Sequence, residues 1–220
     1  MAKSAVKRAF ISYSNADEVH AEAVKRVLAE FGIESFLAHE DIAVSEEWRL
    51  RIIKELSQAQ LFVALLSVSF KASEWAAQEL GFAVGRKIPI LPLSLDKTIP
   101  FGLISHLQGH RLKDGEITIA SLADPVARVI PRHVIPILIE RLAGAKSFRG
   151  AEALMQPLVP LFSLFNEEDV NEFGAVTLDN GQIWDAALCK REYLPEFIRR
   201  HRRRIHPEML RELEEVIADA

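Results

Sequence analysis

The apolar run Leu61–Leu66 (LFVALL) limits the choice of fold more than any other part of the chain, because it contains no polar residue. A short run of this kind is typical of a strand that is buried on both faces, as in a parallel sheet covered by helices. Other short apolar runs lie at residues 8–13, 33–37 and 88–93. Because Pro89 and Pro92 cannot donate ladder hydrogen bonds, the last run is predicted to be an edge or irregular strand.

Helical patterns separate these runs. Apolar side chains recur with helical spacing at Val24, Leu28 and Phe31, which predicts an amphipathic helix over residues 17–31. Two more helical patterns follow serines that can cap a helix, Ser45 and Ser73. Strands that alternate with helices predict a parallel sheet with helices on both faces. The fold class is therefore α/β, with a flavodoxin-like layout.

The strand pattern does not return beyond Pro131, and the rest of the chain has the spacing of helices. The predicted helices cover residues 119–129, 133–142, 147–165, 167–178, 183–189, 194–204 and 207–217. We therefore predict two domains, an α/β domain over residues 1–129 and a small all-α domain over residues 130–220. The second domain is interpreted as a stack of helix pairs of the HEAT type.

Composition argues against several classes of protein. The formal net charge is −4, so the chain as a whole is not expected to bind nucleic acid. Cys189 is the only cysteine and lies in an apolar helical segment, so a buried, inert thiol is expected and a disulfide scaffold is not. No apolar run approaches the ~20 residues of a membrane span, and the first residues lack the apolar core of a signal peptide. A cytoplasmic protein without membrane contact is expected. No metal site is predicted, since His106 and His110 have no third ligand nearby.

Candidate chemistry lies where the strands end, because ligands of open parallel sheets bind beyond the carboxyl ends of the strands. The predicted strands lead there into residues 12–14, the loop 38–45 and residues 67–75. Trp75 and Glu79 are spaced i,i+4, so they share one face of the following helix. A carboxylate beside an indole ring at this edge is a candidate site. A surface glutamate next to a core tryptophan explains the same pattern.

The motifs of residues 7–93 together resemble a TIR (Toll/interleukin-1 receptor) domain of the soluble bacterial type. Residues 10–14 (FISYS) resemble the first strand of that family, and residues 40–42 (EDI) with Trp48 resemble its BB loop and the next helix. Residues 73–79 (SEWAAQE) resemble the helix that carries the family's tryptophan and glutamate. The BB loop departs from a common bacterial pattern, because Val44-Ser45 stands where Pro-Gly is frequent.

The resemblance implies cleavage of the bond between nicotinamide and ribose in NAD+, which is the substrate and not a cofactor. Glu79 matches the catalytic residue of the active members of the family. The tryptophan at the position of Trp75 is linked in the family to a cyclic ADP-ribose product, so linear and cyclic products both stay open. The residues implied to bind the substrate are Ser12, Tyr13, Ser14, Asp41, Ser45, Trp48 and Trp75.

The resemblance also implies activation by self-assembly through TIR domains and a place in bacterial antiphage defence signalling. The expected partners are NAD+, further copies of the chain, and a protein partner at the helical domain. Two alternatives stay open: a non-catalytic TIR–TIR adaptor module in which Glu79 is incidental, and a nucleotide N-glycosidase on the same layout. The basic run at residues 199–204 (RRHRRR) is interpreted as a solvated helix face balanced by nearby acids, with a phosphate contact as the alternative.

Overall fold

The computed structural model describes residues 8–38, 46–112 and 117–218. The chain divides into two compact units, of which the first ends at Pro125 and the second begins at Val126. The helix Ile119–Val129 crosses this division and contains Pro125. Each unit is described separately below.

The first unit is built on a five-stranded parallel sheet in the order β2-β1-β3-β4-β5. Its strands are β1 (Arg8–Ser12), β2 (Glu34–Leu37), β3 (Leu61–Leu66), β4 (Ile90–Ser94) and β5 (His110–Arg111). Every residue of β3 is buried, and the strand lies in the middle of the sheet. The predicted α/β class and parallel sheet are therefore confirmed.

Five α-helices belong to this part of the chain: α1 (Glu18–Glu30), α2 (Glu46–Gln58), α3 (Val68–Ala72), α4 (Glu74–Gly85) and α5 (Ile119–Val129). Ser67 caps α3 by accepting a hydrogen bond from the backbone N–H of Phe70. Ser73 caps α4 in the same way, with the N–H of Ala76 as donor. Such caps satisfy backbone donors that a helix leaves unpaired at its first turn. The short helix α3 was not predicted.

The sheet is covered on both faces. Phe10, Phe62 and Leu66 belong to a core cluster with side chains of α2 and α4. Because side chains alternate along a strand, Ile11 and Val63 point to the opposite face, and both are fully buried. This burial on both faces explains why the central strand is entirely apolar.

Residues 88–93 were predicted to form an edge or irregular strand, and the edge position is wrong, because β4 lies between β3 and β5. β5 pairs only with Leu93 and Ser94, which follow both prolines. Pro89 precedes the strand, and Pro92 lies opposite Ala64 of β3. Pro92 therefore occupies the part of β4 that has a paired neighbour on one side only, where a missing N–H donor is tolerated.

The second unit is helical. It contains α6 (Pro131–Ala143), α7 (Phe148–Met155), α8 (Glu167–Asp179), α9 (Gly181–Trp184), α10 (Leu194–His201) and α11 (Pro207–Ala218). A 3-10 helix at Val159–Leu164 and a π-helical turn at Cys189–Tyr193 connect these elements. The predicted all-α character is confirmed.

Two helix predictions in this unit are wrong in their extent. The helix predicted over residues 147–165 is broken, since α7 ends at Met155 and Pro157 and Pro160 follow it closely. Proline lacks the N–H that an α-helix interior requires, so the chain continues as a 3-10 helix. The helix predicted over residues 183–189 is also interrupted, because α9 ends at Trp184.

An aromatic cluster forms the core of the helical unit. The Phe162 ring lies 5.3 Å from Phe165, 5.4 Å from Phe173 and 5.5 Å from Phe197, measured between ring centroids. These pairs are edge-to-face, the arrangement that the ring quadrupoles favour. The imidazole of His201 stacks on Phe165, and burial lowers the pKa of that imidazole. Aromatic side chains of two helices, α8 and α10, therefore pack around the 3-10 segment.

The start of α8 is fixed by a buried carboxylate. Asp169 is 2 % exposed, and its Oδ2 accepts hydrogen bonds from the N–H of Asn166 at 2.8 Å and from Nη1 of Arg132 at 2.6 Å. The Asn166 side chain accepts in return from the N–H of Asp169. The guanidinium of Arg132 also donates to the carbonyl oxygen of Leu164. The capping box and the ion pair thus join α6, the 3-10 segment and α8.

We expect Asp169→Ala to lower the free energy of unfolding by about 2 kcal/mol, because it removes half of a capping box and a charge-assisted hydrogen bond. Urea unfolding of the full chain measures this effect. The matched control is Glu168→Ala, which removes an exposed acid from the same helical turn. Equal losses in the two variants would contradict the role given to Asp169.

Candidate active site

The carboxyl ends of the strands bring Ser12 and Glu79 into contact. Ser12 is the last residue of β1, and Glu79 lies on α4. The Ser12 hydroxyl donates a hydrogen bond of 2.5 Å to Oε2 of Glu79, and both side chains are buried, with 0 % and 3 % of their surface exposed. A carboxylate this deeply buried is exceptional in a folded protein unless it has a partner or a function.

Only one oxygen of the Glu79 carboxylate accepts a hydrogen bond from the described residues. Its Oε1 is buried and has no hydrogen-bond partner among the described residues. Loss of solvation raises the pKa of Glu79 from 4.5 to about 7, and the hydrogen bond from Ser12 opposes part of that rise. The site therefore holds a carboxyl group that changes its charge near neutral pH, with one oxygen that no described residue hydrogen-bonds.

Two tryptophans from different helices contact each other at this end of α4. Trp75 lies one turn before Glu79 on α4, and Trp48 lies in the first turn of α2. Their ring centroids are 4.3 Å apart with an interplanar angle of 82°, an edge-to-face contact. Trp48 also packs on the core cluster, whereas 37 % of the Trp75 surface is exposed. Trp75 can thus offer a ring face to a ligand while Trp48 supports it.

Tyr13 and Ser14 follow Ser12 directly and enter a 3-10 helix at Asn15–Asp17. Tyr13 is only 1 % exposed, and Ser14 is half-buried. Ser14 therefore offers some surface at this edge of the sheet, whereas Tyr13 is part of the core. The other two site residues predicted from the sequence, Asp41 and Ser45, lie outside the described residues, as do Glu40 and Ile42 of the proposed BB loop.

A second polar network braces the same edge of the sheet and was not predicted. The Ser67 hydroxyl donates to Oδ2 of Asp17 at 2.6 Å, which ties the end of β3 to the segment after β1. Asp96, which follows β4, accepts from the N–H of Val68 at 2.9 Å and from that of Thr98 at 2.6 Å. A side-chain hydrogen bond from Thr98 is the main cause that lowers the pKa of Asp96, and these two backbone hydrogen bonds lower it further. The only sequence signal for this network is that Ser67 and Asp96 come just after apolar strands.

The site lies where the strand order reverses. β1 is followed along the chain by β2 on one side, and β3 lies on the other side of β1. Ligands of open α/β sheets bind beyond the carboxyl ends of the strands at this switch point. Ser12 at the end of β1 and the caps that follow β3 therefore occupy the position where the fold is most able to hold a ligand.

The other candidates from the sequence offer no comparable chemistry. Cys189 is a free cysteine whose predicted burial is confirmed, and burial raises the pKa of its thiol to about 12. Among residues 8–38, 46–112 and 117–218, no group of three or more His, Cys, Asp or Glu side chains is arranged to hold a metal ion. In the same ranges, no helix combines the length and apolar character of a membrane span.

The basic run at residues 199–204 is balanced by acids, as the sequence predicted. Arg199 and Arg200 both form ion pairs with Glu196, at 2.7 Å each. Arg202 pairs with Glu214 of α11 at 2.5 Å. Arg204 donates instead to the carbonyl oxygen of Phe165. Most of these guanidinium groups therefore serve the helical unit itself.

Comparison with known families gives one match. The family model described as TIR domain matches residues 9–124, which is just over half of the chain. The matched residues include all of the sheet except Arg8, together with Ser12, Glu79 and both tryptophans of the site. No curated protein matches the chain.

Proposed function

The chain belongs to the TIR domain family, and on that basis we propose that it is an NAD+ glycohydrolase. In this proposal it cleaves the bond between nicotinamide and ribose, and releases nicotinamide with ADP-ribose or a cyclic isomer of it. Self-assembly through TIR domains activates it, the helical unit senses a protein partner, and the biological setting is bacterial antiphage defence. NAD+ is the substrate, and no separate cofactor is needed.

The observation that carries this proposal is the buried Glu79 carboxylate with one oxygen free of hydrogen bonds. A purely structural glutamate would gain by making both oxygens hydrogen-bonded or by being exposed, because an unsatisfied buried charge is costly. The cost is understandable if a ligand completes the site. A ligand with positive charge or hydroxyl donors suits Oε1, and the ribosyl pyridinium of NAD+ carries both.

The chemistry that such a carboxylate can assist is loss of a neutral leaving group from a cation. The bond between the pyridinium nitrogen and ribose C1′ breaks, and its electron pair stays on the nitrogen, so nicotinamide leaves uncharged. Positive charge then develops on C1′ and the ring oxygen of the ribose, as in other glycosyl transfers. Water adds at C1′ and loses a proton to give ADP-ribose. No general acid is required, so one ionised carboxylate that stabilises the cation is enough.

The indole ring of Trp75 has a complementary role in this mechanism. Its exposed face can stack on the nicotinamide ring or lie against the cationic ribose, because the face of an aromatic ring is electron-rich. The edge-to-face contact between Trp48 and Trp75 restricts the orientation of that ring. A stacked aromatic wall that excludes water also favours an internal nucleophile of the substrate over water, which is how a cyclic product would arise.

The activity is expected to rise with pH up to about pH 7 and then to level off. The ionised carboxylate stabilises the developing cation, and burial raises the pKa of Glu79 to about 7. Below that pH the ionised fraction falls about tenfold for each pH unit. Measurement of kcat/KM for nicotinamide release from about pH 5.5 to about pH 8.5 tests this, since kcat/KM reports groups of the free enzyme. A profile that is flat through neutral pH would exclude Glu79 as the ionising group.

The proposed function is tested by nicotinamide release from NAD+ over a concentration series of the purified full chain. Release that rises more steeply than the protein concentration is expected, because in this proposal a neighbouring copy completes the site. A panel with NADP+ and pyrimidine nucleotides separates a dinucleotide glycohydrolase from a nucleotide N-glycosidase. Complete absence of release at concentrations where the chain is visibly oligomeric would favour the adaptor function instead.

A further inference from the structure

We infer that Ser12 is a positioning residue for Glu79, one that holds Oε2 of the carboxylate and thereby turns Oε1 toward the substrate. This inference deepens the proposed function and rests on it for the identity of the substrate. It changes the part given to Ser12 from a residue that binds the substrate to one that acts through Glu79.

The position of Ser12 makes it a fixed point of the site. It is the final residue of β1, which pairs with β2 on one side and β3 on the other, and it lies in register with Ala64 of the central strand. The Ser12 residue has no exposed surface. A side chain at this place cannot move far, so the direction of its hydroxyl is set by the sheet. Sites built on strands hold their groups more accurately than sites built on loops.

The hydroxyl of Ser12 has a single proton to donate, and Oε2 of Glu79 receives it at 2.5 Å. The distance is at the short end of the range for a hydroxyl that donates to a carboxylate, which marks a strong charge-assisted bond. Because Ser12 is fully buried and its proton is already used, it has little left to offer a ligand directly. Oε2 of Glu79 is thereby held by Ser12, and Oε1 is the oxygen left for a ligand.

The two oxygens of the Glu79 carboxylate differ in what they contact. Oε1 is buried and lacks a partner among the described residues, whereas Oε2 is held. If Ser12 were absent, the carboxylate could rotate and present either oxygen, or neither, to the substrate. The hydrogen bond thus supplies orientation, and it also favours the ionised form of Glu79 that the reaction requires.

Removal of the hydroxyl should therefore affect both charge and activity. Ser12→Ala is expected to raise the pKa of Glu79 further, because the interaction that lowers it is lost. At a pH just below neutral, kcat/KM should fall by about tenfold to about 100-fold, the range for a hydrogen bond to a charged group. The fall should be in kcat more than in KM, and the pH profile should move to higher pH.

The direct test is the pKa of Glu79, measured from the carboxyl carbon signal of 13C-labelled glutamate in the full chain and assigned by its loss in Glu79→Gln. Ser12→Ala and Ser12→Cys are compared with Ser35→Ala. Ser35 is a matched control, since it is a buried serine of the neighbouring strand whose hydroxyl has no hydrogen-bond partner among the described residues. The thiol is a weaker donor than the hydroxyl. The pKa of Glu79 should therefore be lowest in the unchanged chain, higher in Ser12→Cys and highest in Ser12→Ala. Ser35→Ala should leave it unchanged.

The outcomes separate this inference from the proposed function. A pKa that stays constant in folded Ser12→Ala or Ser12→Cys overturns the positioning role, whatever the activity. An ordered rise in the pKa of Glu79 without any nicotinamide release supports the positioning role and contradicts the glycohydrolase. If Ser12→Ala does not fold, Ser12→Cys alone decides, since an unchanged pKa or an unshifted pH profile in that variant also overturns the inference.

Discussion

Replacement of Glu79 by glutamine is expected to lower the rate of nicotinamide release by about 100-fold to about 1,000-fold, the usual cost of removing one preorganised electrostatic contact to a transition state. Glutamine has nearly the same shape, and its amide oxygen can still accept the hydrogen bond from Ser12. What it lacks is the negative charge that faces the developing ribosyl cation. The loss should therefore be in kcat, with a smaller change in KM.

The matched control for this variant is Glu74→Gln. Glu74 lies on the same helix in its first turn, and it is exposed. It should leave nicotinamide release within about twofold of the unchanged chain, as expected for a surface substitution. Oligomer size is measured by light scattering in all three proteins, so that failed assembly is not mistaken for failed chemistry. Full activity of Glu79→Gln in a normal oligomer would exclude the proposed mechanism.

The same substitution is expected to change how stability depends on pH. In the folded state Glu79 keeps its proton up to about pH 7, whereas in the unfolded chain it loses it near pH 4.5. Each rise in pH within that window therefore stabilises the unfolded state relative to the folded state. By linkage, the unchanged chain should lose about 3 kcal/mol of stability between about pH 4.5 and pH 7 on account of this one group. Glu79→Gln has no such group and should not show that loss.

The measurement is the free energy of unfolding in urea at about pH 4 and at about pH 8 for both proteins. The free energy of unfolding of Glu79→Gln minus that of the unchanged chain should be about 3 kcal/mol larger at the higher pH than at the lower pH. Glu74→Gln again serves as the control, because an exposed carboxyl contributes little to this dependence. A constant difference at the two pH values would show that burial does not alter the ionisation of Glu79.

Most of the fold could be predicted from local pattern, because the periodicity of a strand or helix depends on residues that are close in the sequence. β3 covers Leu61–Leu66, the run that first indicated a parallel sheet. The wrong predictions lie where contacts between distant parts of the chain determine the structure. β4 lies inside the sheet only because the two-residue β5 pairs with its end. In the helical unit, Pro157 and Pro160 end a helix that apolar spacing alone would extend.

The candidate site could be predicted only in outline. The sequence places Ser12 and Glu79 at the same edge of the sheet, because a strand end and the start of a helix must both lie there. Their hydrogen bond joins residues 67 positions apart, so no local pattern reveals it. The same holds for the bond between Ser67 and Asp17. Which residue contacts a ligand and which supports its neighbour depends on packing, and packing is not periodic.

The pair of tryptophans gives the protein a built-in optical reporter. Near-ultraviolet circular dichroism responds to aromatic side chains held in fixed packing. The indole rings of Trp48 and Trp75 touch edge to face, while Trp184, the third tryptophan of the chain, belongs to the helical unit. Events at the carboxyl edge of the sheet can therefore be followed without any attached dye, and a Trp184→Phe background isolates the signal of the pair.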